Sequence, residues 1–167
     1  YNNKYIGNTF LNCKGSLTLR HGGDCLVANN LFLGTGNRAS AGLRVIGSGH
    51  RVTGNHFEGL GNRKKGAISI SASEKNAKAN GYQPVKDVVF SSNRFLNNLA
   101  PPFDYAEELG EGRRSVLASN LIFEKNRFVG LEKSMVRTKL SGQVGTWKSD
   151  NRYESLPDNF YAKDEYH

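Results

Sequence analysis

An asparagine followed two residues later by an aromatic residue recurs along the whole chain. The pairs are Asn8/Phe10, Asn30/Phe32, Asn55/Phe57, Asn93/Phe95, Asn126/Phe128 and Asn151/Tyr153. Successive asparagines are 22, 25, 38, 33 and 25 residues apart, so three intervals fall in a narrow range. We interpret the two longer intervals as one turn plus an insertion. Self-similarity at this period is typical of a solenoid, in which each repeat packs on its neighbours.

The segments around the asparagines indicate which solenoid. Ser16–Arg20, Leu43–Val45 and Ile68–Ser71 alternate apolar and polar residues with period two, and short apolar runs precede Asn93 and Asn126. These are signals of strands three to five residues long, and no helical repeat is apparent. We therefore predict an all-β fold, a right-handed parallel β-helix of about six coils with two loop insertions. Residues 1–156 would form the β-helix, truncated at its N-terminus, and 157–167 an irregular tail.

The repeated asparagine has a structural interpretation. Stacked at one corner of successive coils, its amides can form a hydrogen-bonded ladder, and asparagine tolerates the left-handed backbone of a tight corner. The aromatic residue would stack in the core. The polar segment 72–86 and the acidic, proline-containing segment 99–114 are the predicted insertions. Cys13 and Cys25 fit no metal-binding spacing and are predicted to be small buried residues.

Positive charge is concentrated in the first part of the chain. The net charge is +8, and residues 1–65 contain nine lysines and arginines against Asp24 and Glu58. This asymmetry is consistent with an anionic partner, whether nucleic acid, anionic lipid or acidic glycan, or with general solubility. No apolar run approaches the roughly 20 residues that span a bilayer, so we expect no membrane partner. No nucleic-acid-binding motif is recognisable, so we expect no nucleic acid.

Two arginines stand out within this basic region. If the leucines of Ser16–Arg20 face inward, Arg20 faces outward. Arg44 lies one coil further, so we expect the two guanidinium groups to stack on one outer face about 4.8 Å apart, at a cost unless an anion bridges them. His21 and a Gly-Gly pair follow Arg20. The strip continues with Lys65, preceded by Arg63 and Lys64. Solvated surface residues are the alternative interpretation, and His50 and His56 are predicted to be surface and turn residues.

The segments that carry these residues resemble a known family. They are Asn8–Cys13, Gly15–Gly22, Asn29–Gly34 and Gly42–His50, with an Arg-His-Gly signature at 20–22. They resemble the catalytic coils of the alginate lyase and chondroitinase B family of polysaccharide lyases, polysaccharide lyase family 6. The resemblance is strong over residues 1–70 and continues as a coil pattern to about residue 130.

The resemblance implies β-elimination on a uronate polymer. In this family a lysine removes the C5 proton, the signature arginine assists as acid or charge stabiliser, and a calcium ion held by an Asn and two Glu neutralises the carboxylate. By resemblance, Arg20 is catalytic, while His21, Arg44 and Lys65 bind substrate. The implied partner is an acidic polysaccharide, most simply alginate rich in mannuronate, and the implied location is secreted or periplasmic in a bacterium.

The chain also departs from the family pattern. The family's lysine is expected about one coil before Arg20, upstream of Tyr1, and the Ca²⁺ ligands earlier still; Lys4 and Lys14 do not match the lysine position. We therefore expect this chain to hold part of an active site and none of the metal ligands. Two alternatives remain open at this point. One is a lyase acting on dermatan or chondroitin-type glycosaminoglycan, and the other is a non-catalytic β-helix that binds acidic glycan.

Overall fold

The protein winds into six successive coils of three short strands each. The computed structural model describes residues 1–35, 40–61, 65–130, 134–142, 144–154 and 161–163. In chain order the strands are β1 (Lys4–Ile6), β2 (Thr9–Leu11), β3 (Leu17–Leu19), β4 (Leu26–Ala28), β5 (Leu31–Leu33), β6 (Leu43–Val45), β7 (Arg51–Thr53), β8 (His56–Glu58), β9 (Ile68–Ser71), β10 (Ser73–Glu74), β11 (Lys86–Ser91), β12 (Arg94–Leu96), β13 (Phe103–Glu107), β14 (Arg114–Val116), β15 (Ser119–Glu124), β16 (Arg127–Val129), β17 (Val136–Thr138), β18 (Thr146–Trp147), β19 (Arg152–Tyr153) and β20 (Tyr161–Lys163).

Corresponding strands of successive coils pair in parallel and form three sheets. Sheet A has the order β1-β4-β7-β11-β15-β18, sheet B β2-β5-β8-β12-β16-β19, and sheet C β3-β6-β9-β13-β17-β20. Outside this frame, β10 and β14 form an antiparallel pair. The predicted parallel β-helix of six coils is confirmed. β20 extends sheet C in register with β17, although it lies within 157–167, for which the sequence predicted an irregular tail.

The repeated asparagines form the predicted ladder along one corner. The backbone N–H and the side-chain amide of Asn30 both donate to Oδ1 of Asn55, each at 2.9 Å. The same two bonds link Asn55 to Asn93, at 3.0 Å each. Asn30, Asn55, Asn93 and Asn126 are at most 1% exposed. A buried amide is tolerated only when it is hydrogen-bonded, and the ladder meets that requirement at every coil it crosses.

The turn before each ladder asparagine differs from the expectation. The ladder asparagines do not themselves adopt the left-handed backbone; at five of the six, the preceding residue does. These residues are Gly7 (φ 68°), Asn29 (φ 54°), Gly54 (φ 64°), Ser92 (φ 55°) and Lys125 (φ 54°). The asparagine side chain is therefore selected for its amide, and the tight turn is made one residue earlier.

The aromatic residues of the repeat stack through the interior as predicted. Phe32 and Phe57 lie 4.7 Å apart between ring centroids with an interplanar angle of 5°, and the stack continues to Phe95, Phe128 and Tyr153. A second stack on sheet A joins Phe90, Phe123 and Trp147. Stacking of identical positions at the strand spacing gives the thin solenoid a continuous apolar core.

One of the two predicted insertions proved to be partly core. The segment 99–114 contains β13, which pairs with β9 and β17 at the centre of sheet C. Phe103 and Tyr105 face inward and are at most 9% exposed. The acidic residues around them concealed this short period-two pattern in the sequence. The segment 72–86 does project from the coil, and its β10 pairs with β14.

His50 and the cysteines complete the comparison with expectation. His50 was predicted to be a surface residue, but it is 1% exposed. Its Nδ1 accepts from the Cys25 backbone N–H at 3.2 Å, and its Nε2 lies 3.0 Å from the Ile46 carbonyl oxygen. Cys25 is buried as predicted, whereas Cys13 is half-buried. Among the described residues there is no helix long and apolar enough to span a membrane.

Candidate functional site

The outer surface of sheet C carries the charged residues that the sequence singled out. On β3 and β6, Leu19, Leu43 and Val45 face the core and are at most 2% exposed. Side chains alternate along a strand, so Arg44 must project outward, as must Arg20 just beyond β3. The register pairs Arg44 with Thr18. The expected direct stacking of Arg20 on Arg44 is therefore wrong by two residues, because both arginines face outward but lie diagonally across the two strands.

Arg44 is neutralised by two carboxylates of the chain itself. Its Nε lies 3.0 Å from Oε2 of Glu107 and donates to the Ser71 hydroxyl at 2.9 Å. Its Nη2 donates to Glu108. The Arg44 side chain is 16% exposed and that of Glu107 is 12% exposed. The anion that the sequence argument required to offset the arginine charges is thus supplied here by acidic residues of a later coil.

A bulge in β13 brings these carboxylates to Arg44. Tyr105 pairs with Ile70, but Ser71 pairs with Glu107, so the register shifts by one residue at Ala106. Ala106 and Glu108 both have left-handed backbone, with φ of 62° and 65°. A bulge of this kind re-aims the side chains that follow it. Both glutamates consequently reach one guanidinium.

Burial and charge determine the protonation of this pair. Burial raises the pKa of the Glu107 carboxyl, and the negative charges of Glu108 and Asp104 act in the same direction, while Arg44 and Lys65 oppose them. Burial of Arg44 by itself would lower the pKa of its guanidinium, but Glu107, Glu108 and Tyr82 outweigh that effect and raise it. Arg44 therefore stays charged, and Glu107 takes up a proton more readily than an exposed glutamate does.

The ring of Tyr82 lies among three guanidinium groups. Its centroid is 4.9 Å from Cζ of Arg20, 5.5 Å from that of Arg44 and 4.4 Å from that of Arg114. We call these four residues the arginine–tyrosine cluster. Arg114 pairs with Glu108 and, at 3.4 Å, with Glu111. Within the described ranges Arg20 makes no ion pair, so its charge is the one in the cluster that no carboxylate offsets.

Lys65 lies on the same side of the molecule, near a buried ion pair. Its charge acts on Glu107. The next residue, Gly66, donates its backbone N–H to Asp104, which binds Arg137 through Nε at 2.6 Å and Nη2 at 3.0 Å. This pair anchors the chain segment that carries Lys65. Arg63 and Lys64, which the sequence placed in the same basic strip, lie outside the described residues.

His21 occupies the corner at the end of β3. It is exposed and has a left-handed backbone with φ of 60°. One coil further, Gly47 also has positive φ, and a Cβ there would come within 2.3 Å of the Gly22 carbonyl oxygen. The two coils thus approach closely at this corner.

Comparison with known proteins identifies the lineage of this fold. The family model of chondroitinase B matches residues 1–144. The chain belongs to the chondroitinase B family. A search of curated proteins gave no match.

Several solved structures share the fold of this chondroitinase B family member. An arginine mutant of the PL6 family alginate lyase AlyGC superposes with a TM-score of 0.80 at 25% identity, covering 97% of this chain and 23% of that one. A PL6 alginate lyase complex with trisaccharide gives 0.71 at 18% identity, covering 95% and 37%. A mannuronic acid specific family 6 lyase from human gut microbiota gives 0.58 at 22% identity, covering 95% and 33%. The chain thus spans between about a quarter and two fifths of these proteins.

Sequence reasoning missed the residues that reach the site from other parts of the chain. Tyr82 comes from the 72–86 insertion, Glu107 and Glu108 from the β13 bulge, and Arg114 from β14. The sequence did show an acidic segment followed by two arginines at 113–114. Which of those charges meets Arg44 depends on a one-residue bulge, which no local pattern reveals.

The described residues do not themselves form a calcium site. Among them, no three His, Cys, Asp or Glu side chains are grouped so that they could hold a metal ion. Glu107 and Glu108 are engaged with arginines. The Ca²⁺ implied by the family resemblance remains a prediction, and the chemistry below includes no step through it.

Proposed function

We propose that this β-helix forms part of the active site of a polysaccharide lyase that cleaves a uronate polymer, with mannuronate-rich alginate as the substrate. The observation that carries the proposal is the guanidinium of Arg20, which lies exposed on the outer face of sheet C beside Tyr82 and has no carboxylate partner among the described residues. The family membership supports the reaction class, and a secreted or periplasmic location is part of the proposal.

The chemistry requires positive charge next to the sugar carboxylate. In β-elimination a base removes the proton at C5, the electron pair forms a C4–C5 double bond, and the C4–O bond breaks with protonation of the leaving oxygen. Negative charge develops on the carboxylate as the C5–H bond breaks, so a fixed cation stabilises the transition state more than the ground state. Arg20 is suited to this role because no described carboxylate competes for its guanidinium.

We assign substrate binding to His21, Arg44 and Lys65. Arg44 is already paired with Glu107 and Glu108. A uronate could therefore bind the Arg44 guanidinium only if one of these glutamates were displaced or became protonated. The raised pKa of Glu107 lowers the cost of the second route. His21 directly follows Arg20 and Lys65 comes after Arg44 in the chain, and both would contact neighbouring sugars.

The substrate is tested by the ultraviolet absorbance of the unsaturated product. The chain, and a form extended upstream of Tyr1, are incubated with polymannuronate, polyguluronate, dermatan sulfate and chondroitin, with calcium and with chelator. We expect product from polymannuronate in the extended form. Product from the chain without the extension would place a base within residues 1–167. Exclusive cleavage of dermatan sulfate would show that the substrate is this glycosaminoglycan and not alginate. Binding without product from either form would identify a non-catalytic glycan-binding module.

A further inference from the structure

The cation assigned to catalysis has little to hold it in place. Arg20 is exposed, and within the described ranges its guanidinium contacts the Tyr82 ring and no carboxylate. An unrestrained arginine side chain samples many rotamers, and fixing it costs conformational entropy. A charge that must meet a developing anion is effective only when it is positioned beforehand. The Tyr82 ring is the contact that can position it.

Tyr82 is itself fixed by the insertion that carries it. The Glu74 backbone N–H donates to the Tyr82 carbonyl oxygen at 3.0 Å. The Gln83 side chain donates to the Lys78 carbonyl oxygen at 2.6 Å, and the Val85 N–H donates to the Ser73 hydroxyl at 3.2 Å. These bonds close segment 72–86 on itself, so the ring does not depend on a mobile loop tip for its position.

The pairing of β10 with β14 also holds the insertion next to the arginine–tyrosine cluster. Glu74 on β10 lies opposite Arg114 on β14 in the antiparallel strand register. The Arg114 guanidinium lies over the same Tyr82 ring, 4.4 Å from its centroid. Glu108 binds both Arg114 and Arg44. All three guanidinium groups therefore lie over the electron-rich ring, two of them neutralised and the third, that of Arg20, without a carboxylate partner among the described residues.

We propose that Tyr82 is a positioning residue, whose aromatic ring holds the Arg20 guanidinium in place for the substrate carboxylate. This inference rests on the proposed function and adds to it a residue from the 72–86 insertion. The phenolic hydroxyl has no part in the role; the ring face carries it. The chemistry of the ligand remains a uronate carboxylate, and the ring decides where that carboxylate can be bound.

The test compares Tyr82→Leu with Tyr82→Phe in the form that is active on polymannuronate. A cation–π contact of this kind corresponds to a change on the order of tenfold. Tyr82→Leu should lower kcat by about that factor with a smaller change in KM, while Tyr82→Phe retains most of the activity that Tyr82→Leu loses. Tyr82→Leu in an Arg20→Ala background should have no further effect. Equal losses in Leu and Phe variants, or additive losses with Arg20→Ala, would overturn the proposal.

Calorimetric binding of an oligomannuronate separates this inference from the proposed function. If the protein yields no unsaturated product, the lyase assignment fails, but the positioning role still predicts that Tyr82→Leu weakens binding as Arg20→Ala does and that the two effects do not add. Thermal unfolding of both Tyr82 variants controls for collapse of the insertion. The positioning role is wrong if Tyr82→Leu leaves binding unchanged in a protein without lyase activity, or leaves both binding and kcat unchanged in an active one.

Discussion

Arg44 holds together two carboxylates that would otherwise repel each other. Glu107 and Glu108 are consecutive residues, and both reach the same guanidinium because of the bulge at Ala106. Removing one partner of a largely buried ion pair leaves an uncompensated charge, which costs more than the pair contributes. Arg44 therefore has a structural role in addition to any contact with substrate.

Arg44→Ala should lower both stability and substrate use. Because it leaves Glu107 without its nearest cation, we expect the free energy of unfolding to fall by about 3 kcal/mol, measured by urea denaturation. Arg44→Ala combined with Glu107→Gln should regain a large part of that loss, since the amide carries no charge. An Arg44→Ala protein as stable as the unaltered one would show that the ion pairs contribute nothing.

His50 should make stability depend on pH. Burial lowers the pKa of its imidazole, and the Ile46 carbonyl and Asp24 only partly oppose this. The folded state thus binds its proton less tightly than the unfolded state, whose histidine titrates near pH 6.5. Stability from this group is complete above about pH 6.5 and is lost as pH falls through the lower folded pKa. Melting temperatures of the protein and of His50→Gln across this window test it; an unchanged slope in His50→Gln would contradict it.

At the scale of elements, the asparagine ladder fixes the stacking of coils. Each interior ladder residue accepts from a backbone N–H and an amide of the preceding coil and donates to a backbone carbonyl of that same coil, while its own N–H and amide donate to the asparagine of the next coil. Asn55, for example, donates to the Val27 carbonyl at 2.8 Å and to Asn93 at 3.0 Å. Asn8, at the first coil, is exposed and donates to Asn30, and its side-chain oxygen accepts from no described residue.

This difference predicts that substituting an interior ladder asparagine costs more stability than substituting the one at the first coil. Asn55→Ala should reduce the free energy of unfolding by about 3 kcal/mol, because it leaves several buried polar groups without partners. Asn8→Ala should cost about 1 kcal/mol, since water can replace the bond it loses. Urea denaturation of the two variants measures the contrast. Similar losses at both positions would mean that the ladder does not act through buried hydrogen bonds.

The strands that could be predicted from sequence are those with a strong local pattern. The Asn-x-aromatic repeat located sheet B, and period-two alternation located β3, β6 and β9. β13 was missed because Asp104 and Glu107 mask the inward Phe103 and Tyr105, and β20 because no such pair marks it. His50 was misplaced because its two backbone partners come from other parts of the coil.

In the candidate site, too, only the features that follow from a local sequence pattern could be predicted. The outward direction of Arg20 and Arg44 follows from alternation on a strand and could be predicted. Their lateral offset could not, because register differs by two residues from what chain spacing suggests. Tyr82 and Arg114 reach the face only through the β10–β14 pairing, which joins two segments about 40 residues apart in sequence.

In the molecule as a whole, the stacking of coils brings residues that are far apart in sequence together on one sheet face. Residues from the first coils, such as Arg20 and Arg44, lie beside residues of the 72–86 insertion and of the fourth coil. A flat sheet face of this kind suits an extended polymer, because successive sugars can follow successive strands. On the proposed function, Arg20, which no described carboxylate offsets, marks the point on that face where a substrate carboxylate binds.

The most direct test of this account is the rate of unsaturated product formation from polymannuronate by the active form and by its Arg20→Ala variant. Loss of one preorganised charge at the reacting centre lowers kcat by about a hundredfold or more. We predict a loss at least that large, with the same melting temperature, because Arg20 makes no ion pair with any residue that the structure describes. An Arg20→Ala protein that forms product at the unaltered rate would contradict the central role of this face.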